Sequence, residues 1–213
     1  MIGHPVGRAL VDAAQGRFPV PDGSVDIVRP WNRGVEGVVS FTGRAYVVTE
    51  RSADEVYARG PDGYGGAVDP RFISWLAGPD GWCDCLDAVL VACGTGVGGP
   101  EPRPDLAEHP RARHAGLIRT DVTAYGDERG LVTIGVGVGG LPEIGVEVAE
   151  SVRGRGLGRS LIADAQGLVE AGEPVVAAVA PGNALALRAF LAAGFTPVGS
   201  VQLVRPDATG KAR

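Results

Sequence analysis

Residues 148–161 read VAESVRGRGLGRSL and hold three arginines and three glycines within seven positions. An alternating apolar run precedes this stretch, and residues 158–171 place their apolar side chains on one helical face. The pattern therefore predicts a turn between a strand and a helix. The first turn of a helix has backbone amides without intrahelical partners and a partial positive charge, so it favours anions. We expect this turn to bind a pyrophosphate group, the alternative being a glycine-rich connection with solvated arginines.

Two other nucleotide-binding motifs are excluded by their context. The sequence GRGLGRS at residues 154–160 lacks the Lys-Ser/Thr pair that ends a P-loop. The sequence GTGVGG at residues 94–99 fits G-x-G-x-x-G, but Pro100, Pro102 and Pro104 follow where the phosphate-binding helix should begin. We therefore predict a loop at residues 94–99.

Residues 143–199 resemble the GNAT superfamily of N-acyltransferases. The cofactor signature of that family, Arg/Gln-x-x-Gly-x-Gly/Ala, is present as RGRGLG at residues 153–158. The later pattern of the family, an asparagine that starts a helix and a Gly-Phe pair after it, is present as NALALRAFLAAGF, with Asn183 and Gly194-Phe195 in register. Two motifs at this separation, on the expected strand and helices, are more specific than either motif alone.

The resemblance implies a site for acetyl-CoA as co-substrate, without a metal. The glycine-rich loop would cradle the pyrophosphate, and the backbone of the preceding strand would bind the pantetheine arm. The residues predicted to bind the cofactor are Val146, Val148, Arg153, Gly154, Arg155, Gly156, Leu157, Gly158, Arg159, Asn183 and Phe190.

Phe190 is a departure from the family pattern. Many members carry a tyrosine seven residues after the helix-starting asparagine, and its hydroxyl protonates the departing thiolate. Three alternatives follow: water or another residue, such as Tyr125 or Ser200, replaces the hydroxyl; the thiolate leaves without help; or the domain binds acyl-CoA without turnover.

Two glutamates on the preceding strand are candidate catalytic residues. In PEIGVEV, Glu143, Gly145 and Glu147 share one face of the strand. A lysine-like amine with a pKa near 10.4 is only about 0.1% neutral at pH 7, so its acetylation needs a base or a desolvating pocket. Glu147 is the candidate base, directly or through a water, with Glu143 behind it; glutamates on this strand play that role in several members of the family. The alternative for both is a solvent-facing strand edge.

The expected fold class is α/β with an α+β-like mixed sheet. Residues 85–213 would form a GNAT-like acyltransferase domain, since strand, helix, strand, helix and strand alternate from residue 142 onward. Residues 1–84 would add an α/β segment whose role is open between a lid, a dimer surface and an extra sheet. Within it, residues 20–50 contain three strand-like runs and residues 69–78 fit a short helix.

Composition narrows the classes of function. The chain has 213 residues, 45% hydrophobic and 21% charged, which is typical of a folded globular protein. A net charge of -5 argues against nucleic acid as a partner. No run of 18 apolar residues and no signal-peptide pattern is present, so we expect a cytoplasmic protein without a membrane partner. Cys83, Cys85, His109 and His114 match no familiar zinc spacing.

The leading hypothesis is an acetyl-CoA-dependent N-acetyltransferase. An amine of a small molecule or a peptide would attack the thioester directly in a ternary complex, and the enzyme could act as a homodimer. One alternative is a non-catalytic acyl-CoA-binding or regulatory protein, and another is a protein that binds a phosphate ligand with the loop alone. Turnover of acetyl-CoA with an amine would separate the first two.

Overall fold

One mixed sheet of nine strands forms the centre of the protein in a computed structural model that describes residues 3–206. The strands are β1 (Val25–Val28), β2 (Glu36–Phe41), β3 (Arg44–Val48), β4 (Trp82–Cys93), β5 (Thr120–Asp127), β6 (Gly130–Val136), β7 (Pro142–Val148), β8 (Pro174–Val179) and β9 (Thr196–Arg205). They lie side by side in the order β1-β3-β2-β9-β4-β8-β7-β6-β5. The predicted α/β class with a mixed sheet is confirmed.

The helices cover both faces of this sheet. They are α1 (Pro5–Ala14), α2 (Ala53–Tyr57), α3 (Pro70–Ala77), α4 (Pro110–Ile118), α5 (Leu157–Gly167) and α6 (Ala184–Ala192). Three of them begin with a proline, preceded by His4, Asp69 or His109, whose side chain accepts a hydrogen bond from a backbone amide two residues on. Across residues 3–206 no helix is long and apolar enough to cross a membrane.

The alternation of side chains along the central strands divides the core into two layers. On β4, Val89 packs in one apolar cluster with Leu10 of α1, whereas the next residue, Leu90, packs with Leu161 of α5 on the opposite face. The helices α2 and α3 cover a third cluster on the strands of the N-terminal segment. The sheet is therefore buried on both faces, as the uniformly apolar run of β8 predicts.

The N-terminal segment extends the same sheet. Strand β2 pairs antiparallel with β9, from Glu36 opposite Val204 to Ser40 opposite Ser200. Strand β4 lies between β8 and β9 and is antiparallel to both. Because β4 spans residues 82–93, it crosses the predicted boundary at residue 84, and the division into two domains stays a prediction.

The glycine-rich loop at residues 94–99 packs against the end of α5. The amides of Thr95 and Gly98 donate to the carbonyls of Gln166 and Gly167, each at 3.0 Å. A Cβ atom at Gly167 would lie 1.9 Å from the carbonyl oxygen of Gly98, so the close backbone approach requires glycine. The predicted loop is confirmed. Helix α5 ends at Gly167, four residues before the end that the apolar periodicity predicts.

Candidate functional site

Strands β7 and β8 are parallel but separate after a short contact. The described pairing between them consists of Glu143 opposite Val176. At the end of β7, the amide of Ala149 donates to the carbonyl of Arg129 beside β6, at 2.8 Å. Because backbone groups along an antiparallel strand alternate in direction, those of residues 144, 146 and 148 point away from β6 and toward the β8 side. The backbone of β7 therefore offers hydrogen-bonding groups to the opening between the two strands.

The loop after β7 leads into α5, and the amides of its last residues have no acceptor among the described residues. Gly154 and Gly156 have φ angles of +78° and +77°, in the left-handed region that favours glycine. A Cβ atom at either glycine would meet no protein atom within 4 Å, so backbone conformation, and not space within the protein, explains these two glycines. Gly156 is the N-cap of α5 and supplies no side-chain cap. No described residue accepts a hydrogen bond from the amides of residues 154–158.

The three arginines of the loop differ in their contacts. The Nε atom of Arg153 donates to the carbonyl of Val148 at 3.1 Å, so this side chain folds back along β7. Arg155 and Arg159 are exposed, and within the described ranges neither forms an ion pair. Two exposed positive charges therefore lie beside the free amides, and this arrangement of charge favours an anionic ligand.

The third glycine of the motif has a steric role. A Cβ atom at Gly158 would lie 3.2 Å from Cγ2 of Val148 and 3.9 Å from Cβ of Ala189. The first turn of α5 thus lies directly against the end of β7, with α6 close by. The free amides are consequently placed at the mouth of the opening between β7 and β8.

Arg129 links the β5–β6 hairpin to the start of α5. Its guanidinium forms an ion pair with Asp164 at 2.7 Å, donates to Oγ of Ser160 at 3.2 Å, and binds both carboxylate oxygens of Asp127. The hydrogen bonds to Asp127 raise the pKa of Arg129 above its ordinary value. These contacts fix the helix whose N-terminus carries the free amides.

The structure gives Asn183 and Phe190 roles within the fold. The side-chain oxygen of Asn183 accepts from the amide of Ala186 at 3.1 Å and caps α6. Phe190 is buried in the apolar cluster of α5 and α6, edge-to-face with Phe195 at a centroid distance of 5.0 Å. Contact of Asn183 or Phe190 with a cofactor stays a prediction.

The two hydroxyl residues considered as replacements for the family tyrosine lie on other strands. Tyr125 is on β5, opposite Val132 of β6, and β6 separates it from β7. Ser200 is on β9, and β4 separates it from β8. Neither residue belongs to the two strands that border the opening.

Glu143 and Glu147 lie on the sheet face that α4 covers, but their surroundings differ. Glu143 is only 1% exposed, forms an ion pair with Arg119, and accepts from the amide of Val138 at 2.9 Å. The alternative that Glu143 lies on a solvent-facing strand edge is therefore wrong. Glu147 is half-buried and has no hydrogen-bond or ion-pair partner in the part of the chain that is described. Among the residues that the structure describes, its carboxylate is unpaired.

Two charged residues on this face were not predicted from the sequence. The Nε atom of Arg111, on α4, lies 3.5 Å from the position that a Cβ atom of Gly145 would occupy. Burial lowers the pKa of Arg111, and the nearby Arg119 lowers it further. Asp87 of β4 is half-buried, and burial raises its pKa. The signal for Asp87 was its charge within the otherwise apolar run LDAVLVAC, whereas nothing in the sequence distinguished Arg111.

The cavity that the structure describes lies away from the glycine-rich loop. A cavity of about 400 Å³ lies on the other side of α4, between that helix, β5 and the segment before α4. Arg113 and Gly116 line it from α4. Among residues 3–206, no group of three histidine, cysteine, aspartate or glutamate side chains could hold a metal ion.

Two solved structures resemble the fold in part. An acetyltransferase from the GNAT family from Colwellia psychrerythraea is 13% identical, with a TM-score of 0.37 over 58% of this chain and 56% of that protein. A GCN5-related N-acetyltransferase from Kribbella flavida is 18% identical, with a TM-score of 0.36 over 59% of this chain and 60% of that protein. The chain thus spans less than two thirds of either neighbour.

No protein-family model and no curated protein matches the sequence. Both TM-scores lie below 0.5, so the likeness to these structures is limited to part of the fold.

Proposed function

We propose that the protein is an acetyl-CoA-dependent N-acetyltransferase whose loop at residues 153–158 binds the pyrophosphate of the co-substrate. The observation that carries the proposal is the set of free amides at residues 154–158, at the N-terminus of α5 and beside the opening between β7 and β8. Hydrogen bonds to a charged group contribute about 1.5 to 3 kcal/mol each, so several converging amides can hold a diphosphate. Arg155 and Arg159 add long-range attraction.

The exposed backbone of β7 is the proposed track for the pantetheine arm. Val146 and Val148 direct their backbone groups into the opening. An amide-containing chain laid beside them can form the hydrogen bonds that β8 does not form there. The Nε atom of Arg153 donates a hydrogen bond to the carbonyl of Val148. The side chain of Arg153 would therefore move away from this carbonyl when the pantetheine arm binds.

Acetyl transfer then needs a base on the α4 side of β7. The neutral amine nitrogen attacks the thioester carbonyl carbon, a C–N bond forms, and the C–S bond breaks. The proton of the amine passes to Glu147, directly or through a water, and the sulfur leaves with the bonding electrons as a thiolate. A thiol has a pKa of about 8.5, so departure without a general acid is feasible near neutral pH. A backbone amide near Val148 would polarise the carbonyl.

The first test is titration calorimetry with acetyl-CoA and with CoA. We expect micromolar binding by the parent and a loss of at least about tenfold, or 1.4 kcal/mol, in a variant that combines Arg155→Ala with Gly156→Asp. Arg33→Ala is the matched control, because Arg33 is exposed in the N-terminal segment. A folded parent that binds neither ligand contradicts the proposal.

Turnover separates the enzyme from its nearest alternative. Release of CoA is followed by chromatography with a panel of amines, and Glu147→Gln should lower kcat by a factor of about 10² to 10⁴. Glu150→Gln is the control, since Glu150 is exposed just after β7. The buried Phe190, which has no hydroxyl, favours a non-catalytic acyl-CoA-binding protein as the second candidate. Binding without turnover would support that candidate. A cytoplasmic location and a homodimer stay predictions from the sequence.

A further inference from the structure

We propose that the acceptor carries a carboxylate group as well as an amine, and that Arg111 binds this carboxylate while the amine lies beside Glu147. This inference rests on the proposed function, because it assigns the acceptor of the same site. It makes Arg111 a specificity-determining residue, and it names the acceptor class as amino acids and related amino carboxylates.

The first observation concerns the contacts of the Arg111 guanidinium. Among residues 3–206 its guanidinium forms no ion pair and no side-chain hydrogen bond, although the residue is half-buried. Arginine stays charged in proteins, and a charged group held partly out of water without a partner costs free energy. Its planar fork matches a carboxylate through two parallel hydrogen bonds. A ligand carboxylate would remove this cost.

The second observation is how Arg111 is placed on β7. Its Nε atom lies over Gly145, between the side-chain positions of Glu143 and Glu147. A Cβ atom at Gly145 would also lie 2.8 Å from Oγ1 of Thr133, so a larger residue would disturb the contacts over this strand. The glycine lets the guanidinium approach the strand that carries the proposed base.

The third observation is the charge around Arg111. Glu143 is neutralised by Arg119, and Asp84 lies 3.7 Å from His114. Asp87 and Glu147 form no ion pair within the described residues, so two carboxylates share this face with Arg111. The carboxylates attract a cationic amine and the guanidinium attracts an anion, which is the charge pattern of a zwitterion.

The part of the sheet between Asp87 and Glu147 carries a small side chain. Asp87 is on β4 and Glu147 is on β7, with β8 between them. Ala178 of β8 belongs to the layer that faces α1 and α4, and its side chain is small and half-buried. A short acceptor can therefore lie along β7, with its amine near Glu147 and its carboxylate near Arg111 over Gly145.

The test compares matched pairs of acceptors. The standard L-amino acids and β-alanine are each assayed beside their C-terminal amides at saturating acetyl-CoA. For the acceptors that turn over, we expect the parent to prefer the acid over the amide by at least about tenfold in kcat/KM, because a guanidinium without its carboxylate stays unpaired. Arg111→Gln should bring this ratio to about one. Arg113→Gln is the control, since Arg113 is exposed on the other side of α4.

A second readout does not depend on turnover. Thermal unfolding of the parent with each acid and each amide should show stabilisation by an acid and not by its amide, and Arg111→Gln should abolish this difference. Acetylation of amines without a preference for the acid would overturn this inference and leave the proposed function standing. If no acid in the panel stabilises the protein or is acetylated, the inference is also overturned. Failure of acetyl-CoA to bind would contradict the proposed function instead.

Discussion

The carboxylate of Glu143 and the guanidinium of Arg119 form an ion pair in which both side chains are more than nine-tenths buried. Removing one charge from such a pair leaves the other without compensation. We expect Glu143→Gln to lower the free energy of unfolding by about 3 kcal/mol, measured by urea denaturation. The buried charge of Arg119 is the physical reason.

Glu147→Gln is the matched control for that substitution. It lies on the same strand and the same face, but it has no ion-pair partner among the described residues. We expect a change in unfolding free energy of less than about 1 kcal/mol together with a large loss of turnover. Equal urea midpoints for the two variants would contradict a structural role for Glu143 and return it to the candidate base.

The loop can be predicted from the sequence because each glycine of its motif is required by the local backbone conformation or by a close contact. Gly154 and Gly156 adopt positive φ, and Gly158 allows contact with β7. Such requirements act between neighbouring residues, so they leave a readable spacing. The pairing of β4 with β8 and β9 depends on residues about one hundred positions apart. No local pattern reports that pairing, so the insertion of β4 into the centre of the sheet could not be predicted.

A methyl group at Gly156 separates backbone strain from ligand contact. Gly156→Ala must adopt a φ of +77°, and its Cβ would meet no protein atom within 4 Å, so it would stand in the space beside the free amides. We expect a loss of about 1 to 2 kcal/mol in stability from the left-handed conformation. We also expect acetyl-CoA to bind about tenfold more weakly, or by 1.4 kcal/mol, in calorimetry.

Gly172→Ala provides the control for Gly156→Ala. Gly172 also has a positive φ, of +83°, and open space around its Cβ position, but it lies beyond the other end of α5. It should show a similar loss of stability with unchanged affinity for acetyl-CoA. Equal affinity losses in both variants would mean that strain transmitted through α5, and not the space beside the amides, explains the effect.

The substitution Phe190→Tyr tests whether a hydroxyl at position 190 can protonate the departing thiolate, as the tyrosine does in many members of the family. Phe190 is 4% exposed among apolar side chains, so Phe190→Tyr would bury a hydroxyl without a partner. We expect a loss of about 1 to 3 kcal/mol in stability and no gain in kcat. Tyr125→Phe should also leave kcat unchanged, because β6 lies between Tyr125 and β7. A tenfold rise in kcat for Phe190→Tyr would place the new hydroxyl at the leaving sulfur.

The face of the sheet that α4 covers was harder to predict than the loop, because its charged groups come from separate elements. Glu147 was found through the alternation of β7, a local property. Arg111 reaches the same face from α4, and Asp87 from β4, so only the packing of these elements brings them together. The burial of Glu143 has the same origin, since Arg119 is 24 residues away in the chain.

The raised pKa of Asp87 predicts a pH-dependent cost of stability. Because burial raises its pKa above the ordinary 3.8, the ionised carboxylate destabilises the folded protein above the folded pKa, and the cost disappears below 3.8. Asp87→Asn should therefore raise the urea midpoint at pH 7, and the gain should shrink to zero as the pH falls toward 3.8. A gain that persists in acid would point to altered packing instead.

The same carboxylate should slow the chemistry of a neighbouring thiol. Burial, and then the hydrogen bond that Sγ of Cys85 donates to Asp87 at 3.1 Å, raise the pKa of Cys85 to about 12. At pH 8 only about one thiol in 10⁴ would be ionised, and the thiolate is the reactive form. Although Cys85 is exposed, iodoacetamide should modify it slowly, as followed by mass spectrometry of its peptide. Asp87→Asn should accelerate this modification and leave that of Cys93, at the far end of β4, unchanged. An unchanged rate at Cys85 would mean that the hydrogen bond to Asp87 does not protect the thiol.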